Sequence, residues 1–312
     1  MLIASGMFFI AFNSVGGLLL TLGLIVNAIG FLLYRKVSIR SSPARYLLGA
    51  QYLFDAAACL VILMYLVSYN LEIERNRFVY TVFCSLWLSH YAFWFVNSLS
   101  STNLVLLAFD RYWAVVQATS YPKNVTRYVF VLISITWIFT ISSTAPLLCN
   151  NMCFPFILNG TVMPFRISPI VISTGFTLGY LVPSITLCWL QFCTLRVIRR
   201  LKRNVTLKRV DENRISFESN LLAISVATVI MTVTYFFSRV YTHAIILSHS
   251  FGIDLGMIQG DWERPYFIAY GINYLIEPLV LSLSLPGMRL IIVRMFKSFI
   301  FNLPLSLRTG RM

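Results

Sequence analysis

The sequence predicts an all-α membrane protein, a bundle of seven transmembrane helices followed by a short amphipathic eighth helix. Three observations carry that expectation. Hydrophobic residues make up 58% of the 312-residue chain and charged residues only 12%, with a mean hydropathy of +0.77, whereas soluble domains carry about 25% charged residues. Seven stretches hold the roughly 20 mainly apolar residues that a bilayer span requires. Lys and Arg fall in short blocks between those stretches, dense on one side and sparse on the other.

The first span lies near 7–34. Residues 2–33 lack a basic leading segment and are too long for a secretory leader, and Arg35 and Lys36 follow them. This is therefore a retained helix whose C-terminal end is cytoplasmic. The second span, near 46–69, follows a basic loop that also holds Arg40 and Arg45. The third, near 79–109, is longer than a bilayer needs and is expected to tilt or protrude. Arg111, Lys123 and Arg127 lead to the fourth, near 128–148. The fifth, near 167–194, is separated from the sixth, near 217–247, by eight Lys and Arg from Arg196 to Arg214. The seventh lies near 264–286. After Pro286, "GMRLIIVRMFKSFIF" alternates basic and apolar residues at helical spacing. It is expected to form an amphipathic helix over 287–301 on the inner leaflet, ahead of a short cytoplasmic tail at 302–312.

The opposite loops hold only Arg75, Arg77, Arg166 and Arg264, offset by acids such as Glu72, Glu74, Asp254, Asp261 and Glu263. The N-terminus is therefore placed outside and the C-terminus in the cytoplasm of a multi-pass plasma-membrane protein. Residues 1–300 read as one domain. The net charge of +14 does not point to nucleic acid, because the basic residues sit in loops rather than along an interaction surface. The six cysteines form neither a CxxC pair nor metal-ligand spacing. Asn159, in "NGT", is the one glycosylation sequon on an outer loop, while the "NVT" sequons at Asn124 and Asn204 fall on the cytoplasmic side.

Ionisable groups at membrane depth cost a few kcal/mol on insertion scales, so each should face the bundle interior and find a partner. Asp55, Asp110, Arg111, Arg239 and Glu277 are such groups. Arg111, in "FDRYWAVV", can pair with its neighbour Asp110 or with an acid on another helix, for which Glu218 is placed at the start of the sixth span. Two readings of Arg239 stand open. It is either an anion-seeking group suited to a carboxylate or peptide terminus, or a structural partner of Asp254, Asp261 or Glu263.

"FDRYWAVV" resembles the aspartate-arginine-tyrosine motif that closes the third helix of rhodopsin-like (class A) G-protein-coupled receptors. Other motifs follow in the family's order: Asn27 in "LIVNAIG", Asp55 in "PARYLLGAQYLFD", Trp137 and Pro146 in the fourth span, Pro183 in "YLVPSI", and Asn273 with Pro278 in "NYLIEPLVL". The resemblance covers about residues 20–300. It implies a receptor without catalytic activity, which passes the binding of an extracellular small molecule or short peptide to a heterotrimeric G protein. Asp110, Arg111, Tyr112 and Glu218 would form the coupling switch, with Arg111 freed when the third and sixth helices separate. Asn27, Asp55, Ser100, Asn273 and Glu277 would cluster at mid-membrane, where the family holds a sodium ion on Asp55. Glu277 replaces the usual asparagine, so the pocket is expected to take sodium or to share a proton between carboxylates.

By the same resemblance, His90, Phe93, Trp94, Asn97, Arg239, His243, Tyr266 and Tyr270 would line the ligand pocket. Cys84 would pair with Cys149 or Cys153. Phe93 stands where amine receptors carry their counter-ion aspartate, which disfavours an amine. The sixth span lacks the family's tryptophan and proline, and Phe236 is expected at the tryptophan's place. Gln191 and Leu281 replace two family tyrosines. In these departures the chain resembles the expanded chemosensory receptors of invertebrates, nematodes especially. A transporter or channel is the alternative; such folds favour inverted repeats, and the sequence contains no repeat. An intramembrane enzyme is disfavoured because His90, His243 and His249 all lie towards the outside.

Overall fold

In the computed structural model, the described residues are 2–37, 41–68, 86–87, 91–149, 157–158, 161–162, 169–205, 212–251 and 263–302. Seven helices among them are long and apolar enough to cross a membrane. They are α1 (Leu2–Tyr34), α2 (Ser42–Ser68), α3 (Tyr91–Val116), α4 (Val125–Cys149), α5, α6 (Glu212–Ser250) and α7 (Glu263–Ser284). α5 comprises Pro169–Phe176, a π turn over Thr177–Leu181, and Val182–Val205. A final helix, α8 (Pro286–Asn302), continues from α7 after a one-residue break.

The helices depart from the expected spans mainly at their ends. α1 starts at Leu2 rather than near 7, and α5 runs to Val205 rather than ending near 194. The extra turns of α5 carry Arg196, Arg199 and Arg200. Long basic side chains on such turns can leave the apolar layer while the backbone stays helical. One short antiparallel pair, β1 (Ile157–Leu158) with β2 (Thr161–Val162), joins the otherwise helical fold, in the register Ile157 to Val162 and Leu158 to Thr161.

Helix faces follow from residue spacing. On α1, Leu18, Leu22, Ile25, Ile29 and Leu32 recur every three or four residues and are exposed, as a lipid-facing stripe requires. The opposite stripe, Leu20, Asn27, Leu33 and Tyr34, is buried against α2 and α7. Small residues set that approach. A Cβ on Gly30 would lie 2.4 Å from the Tyr52 ring, and one on Gly49 would lie 2.8 Å from the Tyr34 ring. Lipid tails are as apolar as leucine, so close backbone approach of this kind, rather than hydrophobic collapse, favours helix pairing in a bilayer.

α3 is the central rod, packed on α2, α4, α5 and α6. Asn97 through Leu104 are buried without interruption, so its polar residues face other helices on every side. The Ser98 and Ser143 hydroxyls meet at 3.1 Å, tying α3 to α4. The π turn of α5 has an identifiable cause. Pro183 has no N–H to return to the carbonyl of Gly179, and the Tyr235 hydroxyl on α6 donates to that oxygen at 3.2 Å.

Tyr235 also corrects one expectation. It is 1% exposed, whereas Phe236 is 40% exposed. The interior position expected for Phe236 is thus filled by Tyr235, one residue earlier. At Gln191, a family tyrosine is replaced by an amide that reaches α6. It accepts from Thr228 at 3.4 Å and lies 3.5 Å from the Thr232 hydroxyl.

Candidate functional site

At the far end of α3, the Asp110 and Arg111 side chains are both buried. Arg111 donates through Nε at 3.1 Å and through Nη2 to Asp110 Oδ2. The other carboxylate oxygen accepts from the Tyr121 hydroxyl at 2.7 Å. Arg111 Nη2 also lies 3.5 Å from the Ser41 hydroxyl, at the start of α2. The loop that presents Tyr121 is itself fixed. Trp113 Nε1 donates to Ser120 at 3.0 Å, and Ser120 donates to the Gln117 carbonyl at 3.0 Å. Burial, and then the Asp110 carboxylate beside it, push the Tyr121 hydroxyl up to about 12. It therefore remains a donor across the physiological range. Tyr112 is half-buried and its ring lies 5.5 Å from Trp189 of α5. Glu218 lies in α6, but its side chain is outside the described residues.

A second polar cluster lies in the middle of the bundle. Asp55 of α2, Ser100 of α3 and Glu277 of α7 are all buried, and Gln51 joins them. Gln51 Nε2 lies 3.0 Å from Asp55, 2.9 Å from Ser100 and 3.1 Å from Glu277. Ser100 donates to Asp55 at 2.6 Å, and Asn273 donates to Glu277 at 2.8 Å. An amide has only two N–H bonds for these three acceptors. Asn103 completes the cluster by donating to Gln51 Oε1 and to the Leu47 carbonyl, both at 2.8 Å. Asn27 does not hydrogen-bond Asp55: its amide donates to the carbonyls of Gly23 and Tyr274, each at 2.9 Å. Asn27 thus pins α1 to α7. Asp55 Oδ2 and the side-chain oxygens of Asn27, Asn103 and Asn273 are buried and have no hydrogen-bond partner among the described residues.

The third cluster is aromatic and lies nearer the Tyr91 end of α3. Phe93 and Tyr270 meet edge to face at 5.2 Å, as do Phe93 and Trp94. His243 stacks on Tyr180 at 4.5 Å and lies edge-on to Trp94 at 5.7 Å. Its Nδ1 is 2.9 Å from the Arg239 carbonyl. A carbonyl only accepts, so Nδ1 carries a proton. Asn97 accepts from the Tyr274 hydroxyl at 2.7 Å.

Arg239 is buried inside this cluster, its guanidinium carbon 4.3 Å from the Tyr235 ring centre and 5.0 Å from that of Tyr270. Cation–π contact contributes about 2 kcal/mol when desolvated. Taking a cation out of water costs several kcal/mol even after relaxation. Ring faces cannot satisfy N–H donors, and among the described residues none of the three guanidinium nitrogens has a hydrogen-bond partner.

Of the remaining expected site residues, Cys84, His90, Cys153 and Asn159 lie outside the described residues, as do the side chains of Cys149 and Tyr266. Cys59, Cys188 and Cys193 are free thiols. Gln51, Asn103, Ser41, Tyr121 and Tyr235 are additional site residues. Gln51 stands one helical turn before Asp55, a spacing that could have drawn attention to it. Tyr121 and Ser41 gave no such signal, because chain folding alone brings them to Arg111.

This architecture has known counterparts. The crystal structure of squid rhodopsin is similar over 93% of this chain and 85% of that one, with a TM-score of 0.70 at 16% identity. The 5-hydroxytryptamine receptor 1B of the dog, Canis lupus familiaris, and of the red fox, Vulpes vulpes, are each 28% identical over 106 residues. That match spans 34% of this chain and only 26% of each relative. The family described as 7 transmembrane receptor (rhodopsin family) matches residues 28–279, from within α1 to within α7. The chain belongs to the rhodopsin family of seven-transmembrane receptors.

Proposed function

We propose that the chain is a plasma-membrane receptor that converts the binding of an extracellular small molecule or short peptide into activation of a heterotrimeric G protein. Its N-terminus is outside and its C-terminus is in the cytoplasm. The observation that carries the reading is the buried Asp110–Arg111 pair, closed over by Tyr121 and Ser41. A buried ion pair contributes little net stability, because desolvation offsets its attraction. Its value lies in having two states: Arg111 either stays paired with Asp110 or leaves it for another acceptor. Ligand can bias that equilibrium only through different affinity for the two bundle shapes. Separation of α3 from α6 would expose Arg111 to the G protein, and Glu218, in the first turns of α6, would be the acid that competes for it.

The central cluster tunes the same equilibrium. Two carboxylates gathered on one desolvated amide cannot both stay ionised without compensation. The orphaned oxygens around Asp55 fit a hard cation such as sodium, and Asp55, Ser100, Asn273 and Glu277 would hold it. A proton shared between Asp55 and Glu277 would meet the same need. Amine recognition is disfavoured because an apolar ring, Phe93, stands where a counter-ion would be required.

G-protein dissociation, measured in intact cells and normalised to surface receptor, tests the proposal. Wild type should show basal or ligand-driven coupling that Arg111→Ala abolishes at equal surface level. Coupling that persists unchanged in Arg111→Ala would remove the switch, and tracer flux without coupling would favour a transporter.

A further inference from the structure

We infer that the ligand of this receptor is a carboxylate on an apolar or aromatic body, held by the Arg239 guanidinium between the rings of Tyr235 and Tyr270; this rests on the receptor reading above. The two rings cover Arg239 from α6 and α7, at 4.3 and 5.0 Å. The side chain is 1% exposed, and Nε, Nη1 and Nη2 are without hydrogen-bond partners among the described residues. Arg111, buried in the same bundle, gives Nε and Nη2 to Asp110, so an arginine without a hydrogen-bond partner among the described residues is not a general property of this interior.

Among the described residues no carboxylate supplies the missing acceptor; Asp254, Asp261 and the side chain of Glu263, the structural partners the sequence allowed, lie outside them. Asp110 is committed to Arg111 and Tyr121 at the opposite end of α3. Asp55 and Glu277 are held by Gln51, Ser100 and Asn273. Glu277 also lies seven residues beyond Tyr270 on α7, about 10 Å along the axis at 1.5 Å per residue. The tyrosine rings take no N–H bonds, so the guanidinium's donors are left for another acceptor. A planar carboxylate is the anion that can take two parallel N–H bonds there. Phe93 meets the Tyr270 ring, and Trp94 meets Phe93 and His243, so the neighbourhood of the guanidinium is aromatic, which suits an apolar or aromatic body. A ligand ammonium is excluded next to this cation by charge.

The test uses the purified full-length receptor in lipid nanodiscs, with thermal unfolding as the readout. The probes are 3-phenylpropionate, octanoate and N-acetylphenylalanine, each compared with its primary amide. These arms separate an aromatic acid, a fatty acid delivered from the bilayer and a peptide C-terminus. At least one carboxylate should raise the midpoint while its amide does not. Arg239→Gln should weaken that carboxylate about 30-fold, as expected for loss of charge-assisted hydrogen bonds. Where Arg239→Gln does not fold, Arg239→Lys carries the comparison, with about a tenfold loss from the missing fork. The inference is overturned if no carboxylate outperforms its amide, or if the Arg239 variant that folds responds as wild type does. Failure here while Arg111→Ala still silences coupling removes the carboxylate alone. A carboxylate effect without any Arg111-dependent coupling removes the receptor reading instead.

Discussion

At the residue scale, the Asp110 carboxylate is the hinge of the switch. One oxygen serves Arg111 and the other serves Tyr121. Tyr121→Phe deletes one hydrogen bond to a charged acceptor and keeps the ring that packs on Trp113 and Tyr128. Such a bond is worth about 1.5 kcal/mol, so basal G-protein activation should rise roughly tenfold by the 1.4 kcal/mol-per-decade rule. A biosensor in cells with matched surface expression measures this, and an unchanged baseline would show that Tyr121 does not hold the resting state. The hydroxyl is raised to about 12. Its bonded form is therefore fully present below the ordinary tyrosine range and is lost only as pH rises through about 12. The difference between wild type and Tyr121→Phe should accordingly stay constant from pH 6 to pH 9.

At the scale of elements, contact between helices depends on absent side chains and on freed backbone groups. The Tyr52 ring that overlies Gly30 is not free to swing away. Its hydroxyl lies 3.1 Å from the Ser282 hydroxyl on α7 and reaches Met288 Sδ on α8 at 3.7 Å. Gly30→Ala therefore forces α1 from α2, at the cost of about 1–3 kcal/mol typical of overpacking. The thermal midpoint in detergent should fall, while Gly17→Ala, where a Cβ meets nothing within 4 Å, should leave it unchanged. Equal midpoints for the two variants would contradict close packing at Gly30. At the α5–α6 contact, Tyr235→Phe leaves the Gly179 carbonyl without its α6 donor. Loss of this part-buried hydrogen bond costs about 1 kcal/mol, and the same midpoint measurement reads it.

For the whole molecule, the central cluster matters because Asp55, Ser100 and Glu277 come from three helices and meet on one Gln51 amide. Any change in bundle shape must rearrange these bonds. Glu277→Gln removes one carboxylate and with it the need to share a proton or bind a cation. Basal coupling in wild type should change as sodium replaces an organic cation or as pH varies, and Glu277→Gln should flatten that response. A sodium and pH response identical in the variant would assign Glu277 a packing role only. Membrane orientation has its own check: glycan should be found at Asn159 and not at Asn124. The Asn124 side chain instead accepts from the Arg127 N–H at 3.1 Å, capping α4.

Much of this was legible in the sequence, and the rest was not, for physical reasons. Span length and hydropathy determine seven helices, because a bilayer admits few backbone structures. The same argument marks Asp55, Asp110, Arg111, Arg239 and Glu277 as interior groups, since a charge facing lipid is too costly. Partner choice is different. Asn27 turned to backbone carbonyls instead of Asp55, Tyr235 took the place expected for Phe236, and Tyr121 arrived at Asp110 from a loop. Each outcome depends on helix rotation by one residue step or less, or on where a loop folds back, and hydrophobic periodicity does not encode either. The sequence by itself determined which groups had to be buried, because the solvent sets that cost. Only the tertiary structure decided which of them are answered and which, like Arg239, keep donors without a partner among the described residues, because hydrogen bonds form between particular atoms at particular distances.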